Sequence, residues 1–251
     1  MSVLLLPEAP VKRCGDQIQY CMAQTPGDRT GAFQLVYRSY MRAGLGSENP
    51  YGMRVTRFQL EPASQIFVGK ICDEVVSTVT LVPDGPLGLP MDSMFREEVD
   101  ALRNTGKRVS EVSCLADRRS STSRFLDTFS QLTRLMAQYA RYQRIDCLLV
   151  TVHPRHARFY KRYLGFLDIS DRIESCPHAQ DRPAAALKLD FEFVDRERPE
   201  CWNDFFGEWL SREGLEPYTI GASERELLTA IAGSCEDAAS EREAEPAMAG
   251  T

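Results

Sequence analysis

The chain has 251 residues, 43% of them hydrophobic and 26% charged, ordinary values for a globular protein that can bury a substantial core. No apolar run approaches the roughly 18 residues of a membrane span, and Val3 to Leu6 is too short for a signal peptide, so a cytoplasmic protein without a transmembrane segment is expected. The formal charge of −6 and cations not interleaved with exposed aromatics argue against nucleic acid as a partner, and eight cysteines without a CxxC predict no disulfide framework.

Ile18 to Ala23 reads as a short strand. Pro26-Gly-Asp28 opens a helix in which Phe33, Tyr37, Tyr40 and Met41 recur at helical spacing up to Gly44. Glu48 to Arg54 is a loop punctuated by Asn-Pro and Tyr-Gly. Ile66 to Cys72 and Val75 to Val82 are β-branched runs that form a hairpin. After the Gly/Pro loop from Pro83 to Pro90, Met91 to Arg103 is helical and Asn104-Thr-Gly106 ends it.

Val109 to Leu115 is the next strand. Ser121 or Ser123 caps the following helix, where Phe125, Phe129, Leu132, Met136 and Tyr139 form one apolar stripe. Asp146 to Val152 is nearly all apolar, hence a strand buried on both faces. Pro154 occupies a first helical position and Gly165 closes that helix. Phe166 to Ile169 and Ala184 to Phe193 are two more strands. Pro199 to Arg212 and Glu224 to Ala232 read as helices of an appendage, and the acidic, Ala-rich stretch from Glu236 is expected to be disordered. The order β-α-β-β-α-β-α-β-α-β-β predicts an α/β (α+β) domain over 1–193, a helical extension over 194–235 and a tail over 236–251.

The candidate chemistry begins at Glu111, a lone carboxylate in an apolar strand. Either it sits at a strand edge or pairs with an Arg, or it is a general base: burial raises a carboxyl pKa towards neutrality, where it can take a proton from an ammonium nucleophile. Ser113 lies two residues on, on the same face, either a plain strand hydroxyl or placed to hold substrate or a bridging water. Tyr160, behind Phe159 in the helix after Pro154, is placed either to protonate a leaving thiolate or to pack in the core. His153 and His156, with Cys147, Cys176 and His178, fit no closed metal motif, so no metal is expected. No cysteine has a patterned partner for nucleophilic catalysis.

Charge is unevenly spread. Asp117 to Tyr163 carries ten Lys/Arg against three acids, about +7, leaving about −13 elsewhere. Either this is a solvated helix face or it docks an anion. Arg118-Arg-Ser-Ser-Thr-Ser-Arg124 precedes a helix, whose free N–H groups attract phosphate. It contains no glycine, so its backbone cannot wrap a pyrophosphate closely, which favours a ligand with one phosphodiester.

Taken together, the Glu111 strand, the helix after the loop and the run His153-Pro-Arg155-His-x-x-Phe159-Tyr160-x-x-x-Leu164-Gly165-Phe166 resemble the GNAT acyltransferase superfamily. More narrowly, Gly88-Leu-Pro-Met-Asp92, Glu98-x-x-x-Leu102-Arg103, Gly106-Lys-Arg-Val, Glu111-Val-Ser113-x-Leu115-Ala116 and Pro154-Arg-His156 resemble the long-chain N-acyl amino acid synthases, relatives of the acyl-homoserine-lactone autoinducer synthases. The resemblance covers roughly residues 18–192. It implies a GNAT-like mixed, mostly antiparallel central sheet with two splayed parallel strands, flanked by helices. It also implies an acyl-carrier-protein thioester as donor and the α-amine of an amino acid as acceptor. No cofactor is then bound permanently; acyl-phosphopantetheine of the carrier, or acyl-coenzyme A, is co-substrate.

Carried over by residue, Glu111 is the base with Ser113 beside it, and Tyr160 or solvent protonates the thiolate. Backbone N–H groups near Cys114, Leu115 and Ala116 hold the oxyanion and donor. Arg119 and Arg124 take the phosphate, and Arg155 and Arg158 dock the carrier. Tyr37 and Arg38 face the acceptor, while Phe125 and Phe129 line an acyl tunnel or simply pack. The autoinducer synthases usually have Arg where this chain has Cys114, which points away from a lactone-forming substrate. The rival expectations are an acetyl-coenzyme-A N-acetyltransferase and a non-catalytic sensor of acylated carrier protein.

Overall fold

The computed structural model describes residues 17–118 and 122–243, with side chains except at 122–125 and 236–243. Arg119 therefore lies outside the described residues, as do the side chains of Arg124 and Phe125. Strands β1 (Gln19–Met22), β2 (Gln65–Ile71), β3 (Glu74–Pro83), β4 (Val109–Asp117), β5 (Cys147–Val152), β6 (Leu167–Asp168), β7 (Glu174–Cys176) and β8 (Arg182–Asp190) build the sheet. Its order is β1-β2-β3-β4-β5-β8-β6, with β7 paired to β8. Helices are α1 (Pro26–Ala43), α2 (Asp92–Asn104), α3 (Thr122–Tyr142), α4 (Pro154–Leu164), α5 (Phe191–Glu197), α6 (Trp202–Phe206) and α7 (Ala222–Glu243).

Among the strand pairs only β4 and β5 run parallel. Alternation along the strands divides the core. Phe67, Val79, Leu81, Leu148 and Val150 pack under α3 to α6. Val68 and Val75 pack under α1 and α7, and Val82, Val109 and Leu149 pack under α2. Leu148, Leu149 and Val150 are each at most 5% exposed, as a strand apolar on both faces requires.

Helix boundaries follow their caps. Thr25 Oγ1 accepts from Asp28 N at 3.1 Å ahead of Pro26, and Gly44 closes α1 at φ 66°. His153 Nδ1 accepts from Arg155 N at 3.2 Å at the start of α4. Gly165 ends that helix at φ 78°, where a Cβ would come within 2.9 Å of Pro199; only glycine fits there.

Four expectations need correction. The strand expected to reach Phe193 stops at Asp190, whose carboxylate caps α5 through Glu192 N and Phe193 N. The expected helix over Pro199 to Arg212 is only α6, and β7, three residues long, carries too little pattern to be read. Helix α7 continues to Glu243, into the segment expected to be a disordered tail. Cys72 is disulfide-bonded.

The segment after β8 is tied to the core. Gln138, fully buried in α3, donates to Phe205 O at 2.6 Å and accepts from Leu210 N at 2.7 Å. Arg141 pairs with Asp195. Further on, Ile66 N donates to Tyr218 Oη at 3.1 Å, and the buried Arg29 pairs with Glu224 of α7.

Candidate active site

The parallel pair comes apart half-way. β4 and β5 stay in register from Val109↔Cys147 to Val112↔Val150 and no further. The cause is a bulge in β4. Ser113 lies opposite Thr80, but Ala116 lies opposite Thr78, so β4 carries one residue more than its partner there. The extra residue is taken up at Cys114, which sits at φ 51°, a conformation that costs a non-glycine residue about 1 kcal/mol or more. Past the bulge the sequence changes parity. Val112 and Leu115 pack beneath α3 and α4, whereas Cys114 and Ala116 pack beneath α1. The strands diverge and a cleft of about 750 Å³ opens between them.

Glu111 lines that cleft and is 4% exposed. Burial raises its pKa to about 8, with Asp92 adding a little, against the opposing effect of Met91 N, which donates to Oε2 at 2.7 Å. This N–H is held by the Gly88 to Asp92 turn. Asp92 Oδ2 accepts from Leu89 N at 2.7 Å, and Gly88, at φ 70°, leaves room for that carboxylate, which a Cβ would meet at 2.3 Å. Arg103 locks Asp92 in turn, bridging it to Asp84 and Asp100 at 2.6–2.7 Å. The Gly88-to-Asp92 and Arg103 motifs thus act on one target, the donor that orients the Glu111 carboxyl.

Ser113 lies on the rim of the cleft beside Cys114, its Oγ 3.6 Å from Cys114 Sγ. Leu115 lines the cleft; Ala116 is buried under α1 instead, so only its backbone is available to a ligand. On the β5 side stands Thr151, whose buried Oγ1 has no hydrogen-bond partner among the described residues. Tyr160 rises from α4 against Phe129 and Phe166, with ring centroids 6.5 and 5.4 Å apart, edge to face. Burial pushes its phenol up to about 12.

Phe129, Tyr160, Leu115, Val112 and Val150 border a second cavity, of about 40 Å³ and almost wholly apolar. Its far wall is Cys201, Phe205 and Phe206 of the C-terminal segment. Phe129, expected at a tunnel or in the core, stands where the two cavities meet.

The expectation for α1 is half corrected. Tyr37 lines the cleft, but Arg38, one residue on and about 100° around the helix, is exposed and turned away. Tyr40, three positions from Tyr37, lines it instead, together with Arg54, which sequence reasoning passed over. The basic stretch is also not one surface. Arg118, Arg134, Arg141 and Lys161 pair with Glu74, Glu208, Asp195 and Asp168. Arg155, Arg158 and Arg162, all exposed on α4, have no carboxylate partner among the described residues. Arg155 Nε lies 3.0 Å from His156 Nε2. Among the described residues no group of three His, Cys, Asp or Glu side chains is placed to hold a metal ion, and no helix is long and apolar enough to cross a membrane.

Residues 31–190 match the family described as N-acyl amino acid synthase FeeM. The chain belongs to the FeeM family. The structure of FeeM, from uncultured soil microbes, is similar at TM-score 0.64 and 25% identity, over 74% of this chain and 95% of that one. The acyl-homoserine-lactone (AHL) synthase LasI matches at TM-score 0.53 and 14% identity, over 78% of this chain and 96% of LasI, a likeness of fold. No curated protein matches the chain. The FeeM-family membership and the splayed sheet establish a GNAT-like N-acyltransferase.

Proposed function

We propose that the enzyme transfers a long acyl chain from an acyl-carrier-protein thioester to the α-amine of an amino acid. The observation that carries this reading is the placement of Glu111, buried with a raised pKa, in a cleft that continues past Phe129 and Tyr160 into an apolar chamber.

In this reading the thioester lies in the gap between β4 and β5. Glu111, directly or through water, takes the proton from the acceptor ammonium. The amine nitrogen attacks the thioester carbon, and the oxyanion is held by backbone N–H groups of β4 near Cys114 to Ala116, freed from β5 by the splay. The C–S bond then breaks. Tyr160, whose phenol keeps its proton at neutral pH, or solvent protonates the thiolate. The acyl tail enters the chamber closed by Cys201 and Phe205. A space of about 40 Å³ holds about one or two water molecules, so a long chain must displace Phe129 or the side chains beyond it.

The carrier-protein donor is supported by the Gly-free loop before α3, which does not suit a pyrophosphate, and by Arg155, Arg158 and Arg162, free for an acidic partner. Arg119 and Arg124 are proposed for the phosphodiester. A product screen by mass spectrometry tests the reading. Palmitoyl-carrier-protein, palmitoyl-coenzyme A and acetyl-coenzyme A are each incubated with the twenty amino acids. An N-acyl amino acid formed from the carrier thioester supports it. Product from coenzyme A alone, or acetylation only, overturns the donor assignment.

A further inference from the structure

We infer that Arg54, seated against Tyr40, is the group that recognises the acceptor, by taking its free α-carboxylate while the α-amine faces Glu111. The inference deepens the synthase reading above and rests on it for the identity of the acceptor.

Arg54 lies in the segment between α1 and β2, and its backbone is fixed by Arg54 N donating to Phe33 O at 3.1 Å. Its guanidinium stacks on Tyr40, with Cζ 4.6 Å from the ring centroid. A guanidinium carries five N–H donors in a planar fork suited to a carboxylate. Here Nη2 donates to His178 O at 2.6 Å, whereas Nε is buried and has no partner. Arg134 also has an unpartnered buried Nε, but it pairs with Glu208. Arg29, Arg103 and Arg141 each bind a carboxylate through two nitrogens. Arg54 has no carboxylate partner among the described residues, although it stands in the same cleft as Glu111.

A buried Nε–H without an acceptor is an uncompensated cost, removed when a ligand carboxylate occupies the fork. The position suits an amino acid. Tyr40, Cys114 and Cys176 each lie within electrostatic reach of both Arg54 and Glu111. The two groups line one cleft, a cation for the carboxylate and a base for the ammonium. Tyr37 and Tyr40 wall the same cleft. A simple amine would leave Nε unsatisfied, and an amino ester would offer one neutral carbonyl oxygen in place of a charged pair, so discrimination against both is built in.

The test separates binding from turnover. N-dodecanoyl derivatives of glycine, leucine and phenylalanine, and their methyl esters, are titrated calorimetrically into the full-length protein and into Arg54→Gln and Arg54→Lys. The expected result is at least one acid bound about 10- to 100-fold more tightly than its ester by the wild type, the range of charge-assisted hydrogen bonds. Arg54→Gln should erase the gap by weakening the acid alone, and Arg54→Lys should keep part of it, having the charge but not the fork. The wild-type ratio of acid to ester needs no variant to fold. Equal affinity for acid and ester, a preference that survives in Arg54→Gln, or no acid bound overturns the assignment. An Arg54-dependent preference in a protein that forms no N-acyl amino acid leaves this site standing and removes the synthase reading; product formed with an Arg54-independent preference does the reverse.

Discussion

Glu111 and Arg54 both line the cleft, and they are held in opposite ways. Glu111 is latched: its carboxyl receives the Met91 N–H, and that turn is fixed by Asp92, Arg103, Asp84 and Asp100. Arg54 is half-satisfied: one nitrogen is bound, one buried nitrogen is not. A base acts on a proton whose position is set by the protein, so fixed geometry serves it. A recognition group must release nothing in order to accept its ligand, so an unfilled fork serves it. A braced donor at Glu111 and an unused donor at Arg54 therefore separate the two roles inside one cavity.

The contrast is broken most directly at Glu111. Glu111→Gln should lower kcat by about 10²- to 10⁴-fold at neutral pH, the usual span for loss of a general base, measured by thiol release from the donor. The wild-type rate should rise with pH and level off above about 8, because only the ionised carboxyl accepts a proton; Gln should flatten that limb. Stability should move the other way. The folded pKa is raised from 4.5 to about 8, so the folded state holds the proton more tightly. The stability this group supplies is full below about pH 4.5 and is lost as pH rises through about 8. Glu111→Gln, which keeps the acceptor for Met91 N–H, should accordingly melt above the wild type by a margin that widens between pH 5 and pH 9. A constant or shrinking margin would remove the buried-carboxylate account.

The next largest effect separates the two arginines. Arg103→Met leaves Asp92 and Asp84 without their partner and should cost about 2–4 kcal/mol in urea unfolding. It should also raise the midpoint of the rate profile, since Asp92 stands next to Glu111. Arg54→Met removes a cation with no carboxylate to abandon, and should change stability by no more than about 1 kcal/mol. Equal losses would mean that Arg54 is a structural tie. Phe205→Ala opens the end of the chamber. It should cost about 3 kcal/mol, at the lower edge of the range for a buried Phe, and shift donor preference towards longer chains in a competition between carrier thioesters. Smallest of all, charge reversal at Arg158 and Arg162 should reduce kcat/KM for the carrier thioester by about tenfold at low salt, an effect that fades as salt screens it.

What the sequence reveals divides along the same line as local and non-local causes. Caps, prolines and glycines place α1, α2, α4 and both members of the parallel pair to within a residue or two, because each signal acts on its own segment. Glu111 stands out as a carboxylate inside the apolar run from Val109 to Leu115. Arg54 does not: it follows Asn-Pro-Tyr-Gly in a loop without periodicity, and its importance lies in Tyr40 and His178, distant in the chain. Arg38 is misplaced by a single step of 100°, which a match to its neighbour Tyr37 cannot detect. The bulge is equally silent, since Cys114 shows nothing of its left-handed backbone until Thr78 and Thr80 of β3 set the register. The basic stretch misleads because charge counting ignores the partners that arrive from Glu74, Glu208, Asp195 and Asp168.

The extra residue in β4 has an evolutionary reading. Removing Cys114 alone would leave Val112 and Leu115 on one side of the sheet and Ser113 and Ala116 on the other, so the core beneath α1 would lose only Cys114 itself. Yet β4 would regain the register that lets it zip onto β5 beyond Val112, and the gap would close. A sheet open between β4 and β5 and one whose parallel ladder runs on past Val112 are thus separated by one codon.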